Sequence, residues 1–344
     1  MAARGIATIA INAVGHGDGP LSTLTVNQAV GSPVTFLEGG RGVDLNGDGT
    51  IDSNEGLAAA PPITLRDGVR QTAVDLLQLV RVIEVGMDVD GDTAPDLDPS
   101  RIYYFGQSLG GIYGTLFLAV EPSVHAGVPN VAGGSFIENA RLSPVTRPLV
   151  GVALALAVPS LINIGGIQFN ENMPLRDQPP VINTVPGAIA IQEVFEWAEW
   201  IQQAGDSVAY SPHLRKQPLE GVPAKSVIVQ FAKGDQQVTN PTTTALIRAG
   251  DLADRATYYR HDLAFADPGR NPTGVEVLKD PHIFLVFNLP TVFPAVADIG
   301  ADAQQQIAEF FASDGETIID PDGAGPLFEV PIAGPLPEEL NFIP

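Results

Sequence analysis

The amino-acid sequence predicts an α/β fold, a mostly parallel sheet with helices on both faces, interrupted once by a helical insertion. Three observations carry this. Short β-branched or aromatic runs alternate with helical stretches along most of the 344 residues, the pattern of strands joined by crossovers. The rhythm breaks at residues 137–206 and then resumes. One strand–turn–helix unit, Arg101 to Val120, is built around Gly106-Gln107-Ser108-Leu109-Gly110.

Taken in order, Ile6 to Val14 is apolar on both faces and predicts a buried parallel strand. It ends in Gly15-His16-Gly17-Asp18-Gly19, a loop rich in exposed amides. Leu24 to Val26 and Val34 to Leu37, with Gly31-Ser32-Pro33 between them, predict a hairpin. From Leu65 to Gly86, Val69, Ala73, Leu76, Leu77, Val80 and Ile83 recur at helical spacing. Arg101 to Phe105 is a strand, and the apolar run after Gly110 is a buried helix that stops at Glu121-Pro122, where proline cannot continue it. Ala126 to Val131 is the next strand.

Within the insertion, Ile191, Val194, Phe195, Ala198 and Ile201 form one apolar stripe, with Glu193, Glu196 and Glu199 outside it. An insertion at this point of a sheet projects over the carboxyl ends of the strands, which predicts a cap. Lys225 to Phe231 and Ala256 to Arg260 resume the strands, with a helix opening at Asn240-Pro241 between them. Ala303 to Ala312 is a closing helix, and the proline- and glycine-rich remainder is expected to drape over the surface. The expected organisation is a first core segment at 1–136, the cap at 137–206, a second core segment at 207–314 and a tail at 315–344.

The net charge of −22, from 40 acidic and 18 basic residues, argues against nucleic acid and anionic membrane surfaces as main partners, since both need basic patches. With no cysteine, disulfides and thiolate metal sites are excluded. No apolar stretch reaches the roughly 20 residues of a spanning helix, so no integral membrane segment is expected.

Part of the acidity is clustered. Asp44, Asn46 and Asp48 fill the first three ligand positions of a calcium loop, Gly49 its sharp turn and Thr50 its carbonyl position, with Asp52 and Glu55 completing the set. A second loop carries Asp88, Asp90, Asp92, Asp96 and Asp98, without the glycine or the closing glutamate. It feeds the N-terminal end of the Ser108 strand, so at about 3.3 Å per residue an ion there would sit roughly 20 Å from the hydroxyl. One or two Ca2+ ions are expected as structural cofactors, and no organic cofactor.

A strand, Gly-x-Ser-x-Gly and a helix make a nucleophile elbow, a turn tight enough to lift the Ser108 hydroxyl clear of the sheet. A serine hydroxyl needs a base within hydrogen-bond reach, itself held by an acid. In this arrangement the acid and then the histidine follow the serine in the chain. Of the five histidines, His16 precedes Ser108, His125 follows its helix too closely and His213 comes before any acid at a strand end. His261 and His282 remain, and His282, on a loop and stiffened by Pro281, is the better placed. Asp235 ends a strand at Gly234-Asp235 and is favoured over Asp206 and Asp262, which suit turns or caps. The oxyanion donors expected are the Leu109 amide and that of Gly17 or Asp18, with His16 shaping their loop.

His16-Gly17-x-Gly19, Gly106-Gln107-Ser108-Leu109-Gly110, Gly234-Asp235 and Pro281-His282, in that order, resemble the α/β-hydrolase superfamily of serine esterases and lipases. With the calcium loops, Arg101 to Gly111 is similar to Gram-negative bacterial lipases of the virulence-factor, lysophospholipase type. The resemblance covers roughly residues 5 to 315. It implies an α/β-hydrolase fold, a catalytic Ser108–His282–Asp235 triad and an extracellular, cell-surface or periplasmic location. The superfamily usually has two strands ahead of the oxyanion-loop strand, whereas this chain starts at that strand. N-terminal strands and any signal peptide are therefore expected upstream. The function expected is hydrolysis of acyl or other hydrophobic esters, synthetic polyesters included, through an acyl-serine. The alternatives are an amide or peptide hydrolase, and a calcium-stabilised binding or adhesion module on an inactive hydrolase fold.

Overall fold

The structure, a computed structural model, describes residues 1–51, 55–56, 61–174 and 178–344. Thr23–Val26 (β1) and Val34–Leu37 (β2) form the expected antiparallel hairpin, apart from the main sheet. Pro62–Val85 (α1) starts on proline, tolerated where an amide has no intrahelical acceptor. It buries Leu65, Val69, Ala73, Leu76, Val80 and Ile83 along one stripe. Ile102–Gln107 (β3) runs through Ser108 into Leu109–Val120 (α2). Val124–Asn130 (β4) lies parallel to β3, with Gln107 opposite Asn130.

The insertion folds as Phe136–Leu142 (α3), Arg147–Leu156 (α4) and Ala188–Gln202 (α5). Ser207–Leu214 (α6), Ser226–Val227 (β5), Val229–Ala232 (β6) and Asn240–Gly250 (α7) follow. Ala256–Tyr259 (β7), His261–Ala266 (α8), Ala297–Ala312 (α9) and Phe328–Glu329 (β8) complete the order. The central sheet runs β3-β4-β6-β7-β8, with β5 also on β4. Its pairs are parallel except β7 with β8.

Helices cover both faces. On one, α1, α2, α6 and α7 bury Val69, Leu116, Leu214 and Ile247 against Val229 and Phe231. On the other, α8 and α9 bury Ala264, Ile307 and Phe310 against Val128, Ile228 and Tyr259. The insertion has its own apolar centre of Leu154, Phe169, Ile191 and Phe195. Glu171, buried, ties it together by accepting from both Arg141 and Arg147.

Two expectations need correcting. Residues 6–13 form no strand. Residues 7–10 are exposed, while Ile6, Ile11 and the buried Ala13 meet the core, so the run lacks the continuous burial on both faces that a parallel strand needs. Side chains anchor it instead: Asn12 donates to the Glu38 carbonyl, and Thr72 accepts from the Val14 amide. The tail is not merely draped, because Phe328, buried, brings β8 against β7 as an antiparallel edge strand.

Candidate active site

Ser108 sits at the end of β3, ahead of the first turn of α2, with φ at 55°, a left-handed conformation that a side chain adopts only when its surroundings hold it there. Its amide donates to the Asn130 carbonyl of β4 at 2.8 Å. Gly106 is required, since a Cβ there would lie 2.3 Å from the Gly110 carbonyl oxygen. Gly111 is required too, with a Cβ falling 2.7 Å from that of Ala132. Gly110, the second glycine of the motif, has ordinary room around it. Its carbonyl accepts from the Tyr104 hydroxyl at 2.6 Å, so the turn is pinned from β3.

The structure brings three of the expected residues together. His282 Nε2 lies 2.8 Å from Ser108 Oγ. His282 Nδ1 lies 2.9 Å from Asp235 Oδ2 and 3.0 Å from Oδ1. Asp235 and His282 are 1% and 4% exposed, so water cannot replace these bonds. Asp235 Oδ1 also accepts from the amides of Gln237 at 2.8 Å and Val238 at 2.9 Å. Burial raises the Asp235 carboxyl, against the opposing pull of His282 and the Val238 amide; as a carboxylate it accepts from His282 and fixes the proton on Nδ1, which leaves Nε2 with a lone pair toward Ser108. Burial works to lower the His282 basicity, but the charge and hydrogen bond of Asp235 outweigh it and the net shift is upward.

The other histidines are engaged elsewhere. His16 Nδ1 pairs with the Val14 carbonyl, His125 with Asp314, and His213 with the Gln217 carbonyl. His261 is fully buried between the Leu278 carbonyl and the Tyr259 hydroxyl, and burial pushes it down to about 4. Asp206 caps α6 through the Val208 amide, and Asp262 is ion-paired with Arg260 and Lys233. Asp206 is thus the cap residue expected, whereas Asp262 lies in the first turn of α8 and serves in ion pairs.

Leu109 opens α2, so its amide has no intrahelical acceptor and remains available beside Ser108. Neither Gly17 nor Asp18 is among the residues that line the cavity beside Ser108. Their loop packs against Gly40 and Gly42, and the Asp18 amide donates to Glu38 Oε1.

A cavity of about 440 Å³ lies beside Ser108, and Ile112, Phe136, Val150, Leu154 and Phe195 contribute to its wall. The size falls in the range of roughly 300–1,000 Å³ typical of small-molecule sites. Helices α3, α4 and α5 supply much of this wall, including Val194 and Ala198 of the predicted stripe. Gln237 and Asn139 are polar wall residues that the sequence reading missed. Asp280 was missed as well. It sits two residues before His282 and accepts from its amide, a local turn signal that the sequence does carry.

Both acidic loops are wound by their own side chains. Asp44 accepts from the amides of Gly47 and Gly49, Asn46 from that of Asp48, and Asp48 from that of Thr50. Glu55 closes the turn on the Leu45 and Asn46 amides, while Asp52 lies outside the described residues. In the second loop Asp88, Asp90 and Asp96 gather oxygens within 4.8 Å of one another. Asp92 caps the Ala94 amide, outside that group. Asp98 is committed to Ser100 and Arg101, which hold its carboxyl down at about 2.

Among the described residues, no helix is long and apolar enough to cross a membrane. No family model and no curated protein matches the chain. Among solved structures it is similar to the crystal structure of acetyl xylan esterase 1 from Thermoanaerobacterium sp. JW/SL YS485. The identity is 14%, 63% of this chain and 56% of that chain are covered, and the TM-score is 0.32. The match spans little more than half of that chain, and a likeness this distant says nothing of substrate.

Proposed function

We propose that this chain is a serine hydrolase of the α/β-hydrolase type that cleaves carboxylic esters with hydrophobic acyl groups. The observation that carries this is the bonded sequence Ser108 Oγ, His282 Nε2, His282 Nδ1 and Asp235, set against a largely apolar cavity. Ser108 attacks the ester carbonyl as His282 Nε2 takes its proton, and Asp235 steadies the imidazolium so formed. The Leu109 amide donates to the oxyanion at the positive end of α2. His282 then protonates the leaving alcohol, and water, activated by the same imidazole, releases the acid. The cavity roof from 137–206 acts as the cap and holds the acyl chain out of water.

The acidic loops supplement this reading. Three oxygens converging from Asp88, Asp90 and Asp96 suit a hard cation, and we propose that these residues, with Asp44, Asn46, Asp48 and Glu55 in the first loop, hold Ca2+. The ion would neutralise like charges and stiffen the approach to β3, with no part in the chemistry. An extracellular, cell-surface or periplasmic location, where calcium is plentiful, would suit such loops.

The test is turnover of p-nitrophenyl esters of rising acyl length and of matching anilides, with Ser108→Ala alongside. Ester cleavage that peaks above acetate and is lost in the variant supports the proposal. Faster anilide than ester cleavage, or turnover retained in Ser108→Ala, overturns it. For the loops, chelation is expected to lower the Tm and calcium to restore it. Loss of turnover at unchanged Tm would contradict a structural role.

A further inference from the structure

The acid and the base of this site hang from two loops, 233–239 and 278–283, that meet far from each other in sequence. A second carboxylate joins them. Asp280 Oδ1 accepts from the His282 amide at 3.1 Å and from the Gln236 amide at 3.1 Å. Its Oδ2 accepts from Gln237 Nε2 at 3.2 Å. One oxygen thus fixes the backbone that carries the imidazole relative to the backbone immediately after Asp235. The other holds a side chain of the cavity wall. The far side of the acid loop is fastened independently, where Ser143 donates to the Gln236 carbonyl at 2.6 Å and Asn139 to the Gln237 carbonyl at 2.7 Å. Without Asp280, the acid loop keeps its grip on α3 but loses its direct grip on the backbone of the histidine loop.

We infer that Asp280 is a positioning residue of the Ser108–His282–Asp235 site, setting the distance and charge environment in which the imidazole works. The inference rests on the hydrolase reading above. Its carboxylate does not reach Ser108; it acts through His282, Gln236 and Gln237. Besides the geometry, its negative charge contributes to the upward shift of His282, together with the larger effect of Asp235 and against burial. Among the described residues, the charged groups acting on His282 are these two aspartates; Asp262, on α8, is paired with Arg260 and Lys233.

Asp280→Ala removes all three bonds, and Asp280→Asn keeps an oxygen for the two amides while removing the charge and the Gln237 contact. A misplacement of the order of 1 Å in such a site costs about 10²-fold. The expected result for Asp280→Ala is a loss of kcat of about a hundredfold with KM changed less than threefold. Asp280→Asn should lose less than tenfold in kcat. In both, the acid limb of kcat/KM moves to lower pH, because the charge that favoured the imidazolium is gone. A residue that only props up the fold would move the Tm and leave that limb where it was. Should Asp280→Ala not fold, Asp280→Asn carries the test through its pH limb. Folded variants with an unmoved limb and wild-type kcat overturn the inference, as does a loss confined to KM. Ser108→Ala, run in parallel, separates the two readings. If it is inactive while the Asp280 variants match wild type, the positioning role fails and the hydrolase reading stands. If it stays active, the hydrolase reading itself has failed.

Discussion

Replacing Asp235 by asparagine exchanges one oxygen for an NH2 group and changes little else. The retained oxygen can still accept from Gln237 and Val238, at 2.8 and 2.9 Å in the native protein, so the acid loop keeps its shape. The new NH2 takes the place of an oxygen 2.9 Å from His282 Nδ1. Two N–H groups cannot face each other there, so the imidazole proton moves to Nε2. That nitrogen, 2.8 Å from Ser108 Oγ, then donates where it should accept. A wrong tautomer of this kind costs about 10⁴ in kcat, or about 5 kcal/mol of transition-state stabilisation. The fold should lose little, since no buried group is orphaned and a buried charge is removed. The assay is ester turnover at pH 8 alongside thermal unfolding, with an expected Tm within about 3 °C of wild type. Turnover within tenfold of wild type in a folded Asp235→Asn would refute the assignment of the acid.

Three further outcomes follow from the same geometry. His261→Gln removes a fully buried imidazole bonded to the Leu278 carbonyl; it should cost about 1–2 kcal/mol of stability in urea unfolding and leave kcat within about threefold, and a hundredfold loss in folded protein would reinstate His261 as the base. Glu199 of α5 accepts from Ser135, and burial first, then Asp206 and Glu138, push its carboxyl up to about 6 against that bond. A raised acid favours the folded state below the ordinary glutamate range and loses that contribution as pH rises through about 6. Glu199→Gln should therefore raise stability at pH 8 by about 1 kcal/mol, after discounting for its partial exposure, and by nothing at pH 4, as calorimetry at both pH values will report. Ala198→Phe puts a ring into the cavity wall; if it excludes three methylenes at about 0.8 kcal/mol each, long-chain esters lose roughly fiftyfold in kcat/KM while acetate esters are spared, and an equal loss at all lengths would contradict the acyl assignment.

What the sequence made legible was local. The elbow could be read because strand, glycine turn and helix are contiguous, and the winding of the acidic loops because most of their side chains bond amides within a few residues of themselves. His282 and Asp235 came from chain order and elimination, since only five histidines compete. The misses depend on partners remote in the chain. Ile6 to Val14 has strand composition, yet strand formation needs a ladder, and the segment is held instead by Asn12 on the Glu38 carbonyl just after β2 and by its Val14 amide on Thr72 of α1. Phe328 looked like part of an irregular tail, but its burial against Tyr259 turns the segment into an edge strand. Gln237 and Asn139 carry no motif, and their role is visible once the acid loop is folded against α3.

The central claim is a hydroxyl made nucleophilic by its neighbours, and covalent capture reads that directly. Incubated with a fluorophosphonate at pH 8, the intact protein should gain the mass of one phosphonyl group, mapped by peptide analysis to Ser108. Ser108→Ala should gain none, and His282→Ala should label at least a hundred times more slowly, by roughly the margin an unassisted serine loses. Wild-type protein that stays unlabelled, or labels as fast without His282, would contradict the account.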